Sequence, residues 1–405
     1  MPWVTAHAPT QAELDACITC GLCLPVCPTF RLTGDEAASP RGRLAAMAAV
    51  ADGLEVVDDT FAGVMGFCLQ CRACEVVCPS LVPFGRAMEG ARAEIAAQRR
   101  GVGAALRRLA VGKVVLGNRR LLAATAMAAA ALQRIAGPRL ARRGRLAGLR
   151  RLPLRPASII GEVRAPGGTP IGRAAVLAGC VMDPWFGPVH EATFELLRRA
   201  GYLVEVPASQ TCCGALAAHD GAAAAAEAMA ERNIAAFAGY DVVVADAAGC
   251  SAHLKQLGHW GQGGEELAGR VRDVTELVAG LIDAGRLPEL SGDLGEVAVQ
   301  DPCHLRHAQR IVTEPRRILE AAGYRPVEID PGGTCCGAAG LYTLLQPETA
   351  TLLGLQKADQ LRRTGPTLVA SANPGCEMQL RTRLGPDFRI AHPVELYWEA
   401  LRSSG

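Results

Sequence analysis

The chain has 405 residues, half of them hydrophobic, which calls for two or three domains and excludes a single small module. Glycine and proline stay well below a low-complexity share, so the chain is globular, and a net charge of +2 argues by itself for neither a nucleic-acid binder nor a binder of acidic substrates. Sixteen cysteines behind no export signal point to metal ligation in a reducing compartment. The first basic residue is Arg31 and no run of about 18 uncharged apolar residues occurs, so neither a secretory leader nor a membrane span is expected, and the chain is expected to be cytoplasmic.

The first eight cysteines form two runs of one spacing, Cys17, Cys20, Cys23 and Cys27 before Pro28, then Cys68, Cys71, Cys74 and Cys78 before Pro79. This is the bacterial ferredoxin run, in which three sulfurs wrap one 4Fe-4S group and the fourth reaches across to the other. The two 4Fe-4S clusters are therefore assigned as Cys17/Cys20/Cys23/Cys78 and Cys68/Cys71/Cys74/Cys27. Zinc is the competing reading, but a tetrahedral zinc site closes with two Cys pairs and leaves the third Cys and the Cys-Pro unexplained. Residues 1–98 make up this two-cluster ferredoxin-like domain, with an Ala-rich helix expected over Arg43–Leu54 between the runs.

Residues 99–160 then carry 15 Lys or Arg and no Asp or Glu. Apolar stretches such as Leu121–Leu132 alternate with arginine pairs, and the spacing predicts a basic helical linker over 99–170. Such a segment serves either as a solvated connector or as a peripheral contact with an anionic membrane face. Aromatic residues are scarce in it, so no nucleic acid is expected.

The last eight cysteines belong to a duplication. Cys180, Cys212-Cys213-Gly214 and Cys250 lie in a first copy over 171–290, and Cys303, Cys335-Cys336-Gly337 and Cys376 in a second over 291–405. The step from the first Cys to the pair is 32 residues in both. In each copy an apolar run (Ala174–Ala178; Val297–Val299) leads to a helix (Val189–Ala200; Glu314–Ala322). A second strand (Tyr202–Val206; Pro326–Ile329) and, after the pair and a further helix, a third (Val242–Ala245; Thr367–Ala370) follow. Alternating strands and helices predict parallel sheets, and three of the four cysteines in each copy fall just past an expected strand, where such sheets bind ligands. All eight are candidate cofactor-binding residues for a further iron–sulfur centre. The fold class is thus a mixture of α+β and α/β: a helical ferredoxin-like front, a basic linker and two repeated α/β domains.

The paired ferredoxin runs followed by two Cys-Cys-Gly repeats resemble the iron–sulfur subunit of bacterial glycolate oxidase. Cys20-Gly21-Leu22-Cys23, Gly34-Asp35-Glu36, Ser39-Pro40-Arg41-Gly42-Arg43 and Cys78-Pro79-Ser80 add to the likeness, which covers nearly the whole chain. Lactate-utilisation subunits, the small subunit of anaerobic glycerol-3-phosphate dehydrogenase and heterodisulfide reductase share the Cys-Cys-Gly motif. The resemblance implies electron transfer from flavin-binding subunits that oxidise glycolate to glyoxylate, with D-lactate a further substrate, toward a quinone or other acceptor. It implies no catalytic residue on this chain. Consistently, there is no Gly-x-Gly-x-x-Gly turn and no Walker sequence. The heterodisulfide reductase alternative places catalysis at the Cys-Cys-Gly centre. The fullest form of that motif ends in Cys-x2-Cys, whereas here His253 follows Cys250 and Gln379 follows Cys376. Each repeat is one thiolate short, and His253 stands either as an imidazole ligand or as a packing residue, with His304 a supporting group beside Cys303.

Overall fold

The computed structural model describes residues 3–99, 103, 118–135, 154 and 158–404. Short helices make up the front: Gln11–Asp15, Pro28–Thr33, Pro40–Ala51, Asp59–Gly66, Ala73–Val76 and Phe84–Gln98. The Ala-rich helix starts three residues before its expected first turn. Ser39 accepts a hydrogen bond from the Gly42 amide at 2.9 Å and Pro40 suits the first helical position. Leu44, Met47, Phe61, Met65, Phe84 and Met88 form the core beneath these helices.

Val163–Arg164 (β1), Gly172–Val176 (β2), Tyr202–Glu205 (β3), Val242–Ala245 (β4) and Val271–Asp273 (β5) form one sheet in the order β1-β3-β2-β4-β5, parallel except for β1. Glu296–Gln300 (β6), Arg325–Glu328 (β7), Leu368–Ser371 (β8) and Arg389–Ala391 (β9) form a second, wholly parallel sheet in the order β7-β6-β8-β9. That order repeats β3-β2-β4-β5, so the cysteine duplication is a duplication of fold. The architecture is the α+β and α/β mixture the sequence predicts. Strand β4 is buried along its whole length, as a central parallel strand covered on both faces should be. Strand β1 lies within the stretch expected to be linker, so the first sheet begins before residue 171.

The helix Arg119–Ile135 covers the expected apolar stretch Leu121–Leu132 and lies against Met182–Trp185. Most of the rest of the basic segment lies outside the described residues. Among the described residues no helix is long and apolar enough to cross a membrane.

The two repeats share one core. Helices Gly187–Ala200 and Val274–Asp283 of the first meet Thr313–Ala321 and Pro393–Ser403 of the second, and Phe194, Leu197, Val278, Ile318, Tyr397 and Trp398 pack there together. The strand ends are joined as well: the Ala248 amide donates to the Ala372 carbonyl at 3.1 Å, and the Gly249 amide to Asn373 Oδ1 at 3.2 Å. These bonds hold the loops after β4 and β8 side by side.

Candidate metal centres

The two front runs have the same backbone as well as the same spacing. Thr19 and Gly21 in the first loop, and Gln70 and Arg72 in the second, occupy matching positions and all have positive φ (56°, 82°, 52° and 61°). Three of the four are not glycine, at a cost of about 1–2 kcal/mol each for the left-handed conformation. Strain of this kind persists at functional sites, and alternating right- and left-handed residues turn amides inward to meet an anion.

Cys17, Cys20, Cys23 and Cys78 line one hollow, and Cys27, Cys68, Cys71 and Cys74 line a second, with Cys74 bordering both. Among the described residues, no three His, Cys, Asp or Glu side chains are grouped to hold a single metal ion. Burial pushes the Cys71 and Cys74 thiols well above their ordinary range, with neighbouring sulfurs, Cys303 first among those of Cys71, adding to the shift. Arg43 also lines the second hollow and is fully buried. Its Nε donates to the Val64 carbonyl at 3.0 Å and its Nη2 to Thr29 Oγ1 at 3.2 Å, while Nη1 has no partner. An unsatisfied guanidinium N–H beside four thiols fits an anionic iron–sulfur group, which supplies both the acceptor and the opposite charge.

The loops are braced from the helix between them. Arg41 Nη1 donates to the Thr19 carbonyl at 3.1 Å while its Nε pairs with Glu36 at 2.8 Å. A Cβ at Gly42 would stand 2.1 Å from the Glu36 carbonyl oxygen, so only glycine fits there. Arg92 donates from Nη2 to the Met65 and Cys68 carbonyls (2.9 and 2.6 Å) and from Nη1 to the His219 carbonyl at 2.7 Å, tying the second loop to the first repeat. Tyr342 donates to the Phe67 carbonyl at 3.1 Å and ties the same loop to the second repeat. In the sequence, Arg41, Gly42 and Arg43 stand out only as part of a family stretch, and Arg92 and Tyr342 not at all. One signal exists for Arg43: it shares the buried stripe of Met47 and Val50 at helical spacing.

The rear cysteines take the places the spacing predicts. Cys180 follows β2, the Cys212-Cys213 pair follows β3 and Cys250 follows β4, and Cys303, Cys335-Cys336 and Cys376 follow β6, β7 and β8 in the same way. In the first repeat the thiols of Cys180 and Cys213 hydrogen-bond Cys212, which lowers the Cys212 thiol well below its usual range, and Cys213 also meets Cys250. In the second, Cys335 interacts with Cys303 and Cys336, and Cys336 Sγ stands 3.0 Å from Cys376 Sγ. Gly214 (φ 98°) and Gly337 (φ 82°) make the turn after each pair. Each set of four sulfurs therefore converges. The second group also touches the front, since Cys71 and Cys335 pack in one cluster with Cys303 against it.

A polar junction lies where the three parts meet. His219 stacks on His304 with ring centroids 5.4 Å apart and pairs with Glu89 at 3.3 Å. Burial drives His304 down to about 3 and His253 down to about 4, so both rings are neutral. Gln379 is bound elsewhere, donating from Nε2 to the Ala350 carbonyl at 2.6 Å.

Residues 13–82 match the 4Fe-4S dicluster domain, and residues 174–255 and 297–381 match the cysteine-rich domain. A dicluster front joined to a duplicated cysteine-rich fold defines an iron–sulfur electron-transfer protein. Over 96% of its length the chain is 33% identical to the probable glycolate oxidase iron-sulfur subunit of Bacillus subtilis (strain 168) and 30% identical to the glycolate oxidase iron-sulfur subunit of Escherichia coli (strain K12), spanning 94% of each. A shorter match, 32% identical over 58% of this chain and 48% of the relative, links it to a subunit of the fumarate reductase (CoM/CoB) of Methanothermobacter marburgensis. The chain belongs to the family of glycolate oxidase iron–sulfur subunits.

Proposed function

We propose that this chain relays electrons from a flavin-binding partner that oxidises glycolate to glyoxylate, with D-lactate as a second substrate, toward a quinone or other acceptor. Cys17, Cys20, Cys23 and Cys78 hold one 4Fe-4S cluster, Cys68, Cys71, Cys74 and Cys27 hold the other, and the eight rear cysteines serve one or more further iron–sulfur centres. The grouping of the front cysteines around two hollows, each bordered by sulfur from the opposite loop, is the observation that supports this most. When bound, the clusters carry single electrons, which divides the pair a flavin receives from a 2-hydroxy acid. The chain's own residues hold the carriers near one another: Arg41 and Arg92 fix the two loops, Arg43 offsets negative charge, and the contact of Cys71 with Cys303 and Cys335 leads from the front to the second repeat.

Division of the chain at 1–98, 99–170, 171–290 and 291–405 belongs to the same proposal, with β1 added to the first cysteine-rich unit. Contact of the basic segment with the cytoplasmic face of a membrane belongs to it as well. Anaerobic purification followed by reduction with glycolate tests the relay. The iron–sulfur absorption is expected to bleach only when the flavin-binding subunits are added. Bleaching by glycolate with this chain alone, or no bleaching with the partners present, would contradict the proposal.

A further inference from the structure

His253 occupies the position of the thiolate missing from the first repeat. It sits three residues after Cys250 on the helix Ala248–Leu254, which puts both side chains on one face. The residue is only 4% exposed, and Nε2 has no hydrogen-bond partner. Leaving a buried nitrogen unpaired costs about 1–3 kcal/mol, so its partner is to be sought in what the site binds.

The ring is held against the cysteine turn. A Cβ at Gly214 would lie 3.2 Å from His253 Nε2, which places that nitrogen over the turn formed by Cys212, Cys213 and Gly214. Gly214 leaves room for it. The second repeat uses its corresponding residue differently: Gln379 Nε2 is committed to the Ala350 carbonyl, and a Cβ at Gly337 would meet the Ala350 carbonyl oxygen and Leu353 instead of a residue one turn beyond the last cysteine. The contrast between an unpartnered imidazole and a satisfied amide is specific to chemistry, because the surrounding strands and turns are duplicated.

We propose that His253 Nε2 is the fifth protein ligand of the iron–sulfur centre in the first repeat, completing the donor set of Cys180, Cys212, Cys213 and Cys250. The inference rests on the reading that this repeat holds such a centre. A neutral imidazole in place of a thiolate removes one negative charge from the ligand set and makes the centre easier to reduce, as His ligation does at other iron–sulfur sites. The second repeat has no such ligand, because Gln379 is held by the Ala350 carbonyl, so the two centres keep four thiolates each and differ by the added imidazole.

The test uses the full chain, purified without air after growth on 57Fe, as wild type and as Cys212→Ser, His253→Ala, His253→Cys and Gln379→Ala. Iron, acid-labile sulfide and Mössbauer spectra are read on each, and nitrogen hyperfine coupling by pulsed electron paramagnetic resonance on wild type and His253→Cys. His253→Ala is expected to lose the same iron and sulfide as Cys212→Ser. His253→Cys should keep the iron, lose the nitrogen coupling and titrate at a lower potential, and Gln379→Ala should match wild type. If Cys212→Ser loses no iron, the repeat holds no centre and the underlying reading fails. If Cys212→Ser loses iron while His253→Ala and His253→Cys keep the wild-type iron and spectrum, His253 is a packing residue and the inference alone is overturned. His253→Cys also guards against misfolding of the alanine variant, because restored iron with an altered spectrum requires a folded repeat.

Discussion

The two cysteine-rich repeats have the same strand order and the same 32-residue step from the first cysteine to the pair, yet different polar groups hold their cysteine loops. In the first, His190 bridges Asp246 at 2.6 Å and the Ala178 carbonyl at 3.0 Å, and Gln210 spans the Val176 carbonyl and Ala178 amide, all just before Cys180. In the second, Asp301, two residues before Cys303, accepts from Arg306 (2.6 Å) and from both terminal nitrogens of Arg316 (2.9 and 3.0 Å). Buried Lys357 meets Asp330 at 2.7 Å, and Asp330 also accepts from the Thr334 amide ahead of the cysteine pair. The comparison teaches that the fold requires its strand-end loops to be satisfied but leaves the chemistry of the brace free, whereas the sulfurs keep their places.

Removing the braces should separate the repeats. Asp301→Ala removes the buried carboxylate that Arg306 and Arg316 share, leaving Arg316 with Glu328 and Arg306 with the Pro331 carbonyl, and a loss of about 3 kcal/mol is expected in equilibrium unfolding. His190→Gln in the first repeat should cost less, about 1–3 kcal/mol, since Gln retains part of the hydrogen bonding.

Their pH responses should have opposite signs. Burial works against the charge on His190, but Asp246 outweighs it and raises the imidazole above its ordinary 6.5. The stabilisation from that charge is complete below the unfolded value and is lost as pH rises through the folded one. Asp330 is the reverse case: burial alone would raise it, and Lys357 with Thr334 brings it from 3.8 down to about 2. Its stabilisation is present above the unfolded value and is lost as pH falls through about 2. Melting curves between pH 2 and 9 should therefore show an alkaline limb that His190→Gln flattens and an acid limb that Asp330→Asn flattens. Both limbs surviving in the variants would detach these residues from the braces assigned to them.

The glycine turns offer the finest comparison. Both have positive φ, but a methyl at Gly337 would lie 2.9 Å from backbone oxygen and from Leu353, while one at Gly214 would stand farther off, 3.2 Å from the His253 ring and 3.7 Å from the Ala226 carbonyl oxygen. Gly337→Ala should lower stability by about 1–3 kcal/mol and Gly214→Ala by less, read from paired thermal melts.

What can be read from the sequence follows the range of the interactions concerned. Ligand spacing is local, so the sixteen cysteines and the duplication are plain in it, and the expected bounds of β4 are its true ends because Val242–Ala245 is one apolar run between polar flanks. Strands β5 and β9 have three residues each, too few to show a period, and the sequence does not announce them. Arg92 acts through carbonyls as far away as His219, and the orphaned Nη1 of Arg43 exists only once Cys27 and the second loop are folded onto it. Interactions between distant backbone atoms leave no spacing to read. His253 is intermediate: its position is legible as the place of a missing cysteine, but its unpaired nitrogen is not.

The central claim is that each front loop lends one sulfur to the other loop's cluster, and resolving the two clusters by electron paramagnetic resonance in Cys17→Ser, Cys27→Ser, Cys68→Ser and Cys78→Ser tests it directly. Cys27→Ser is predicted to alter the same signal as Cys68→Ser, and Cys78→Ser the same signal as Cys17→Ser. If Cys27→Ser instead alters the Cys17 signal, each run holds its own cluster and the account is wrong.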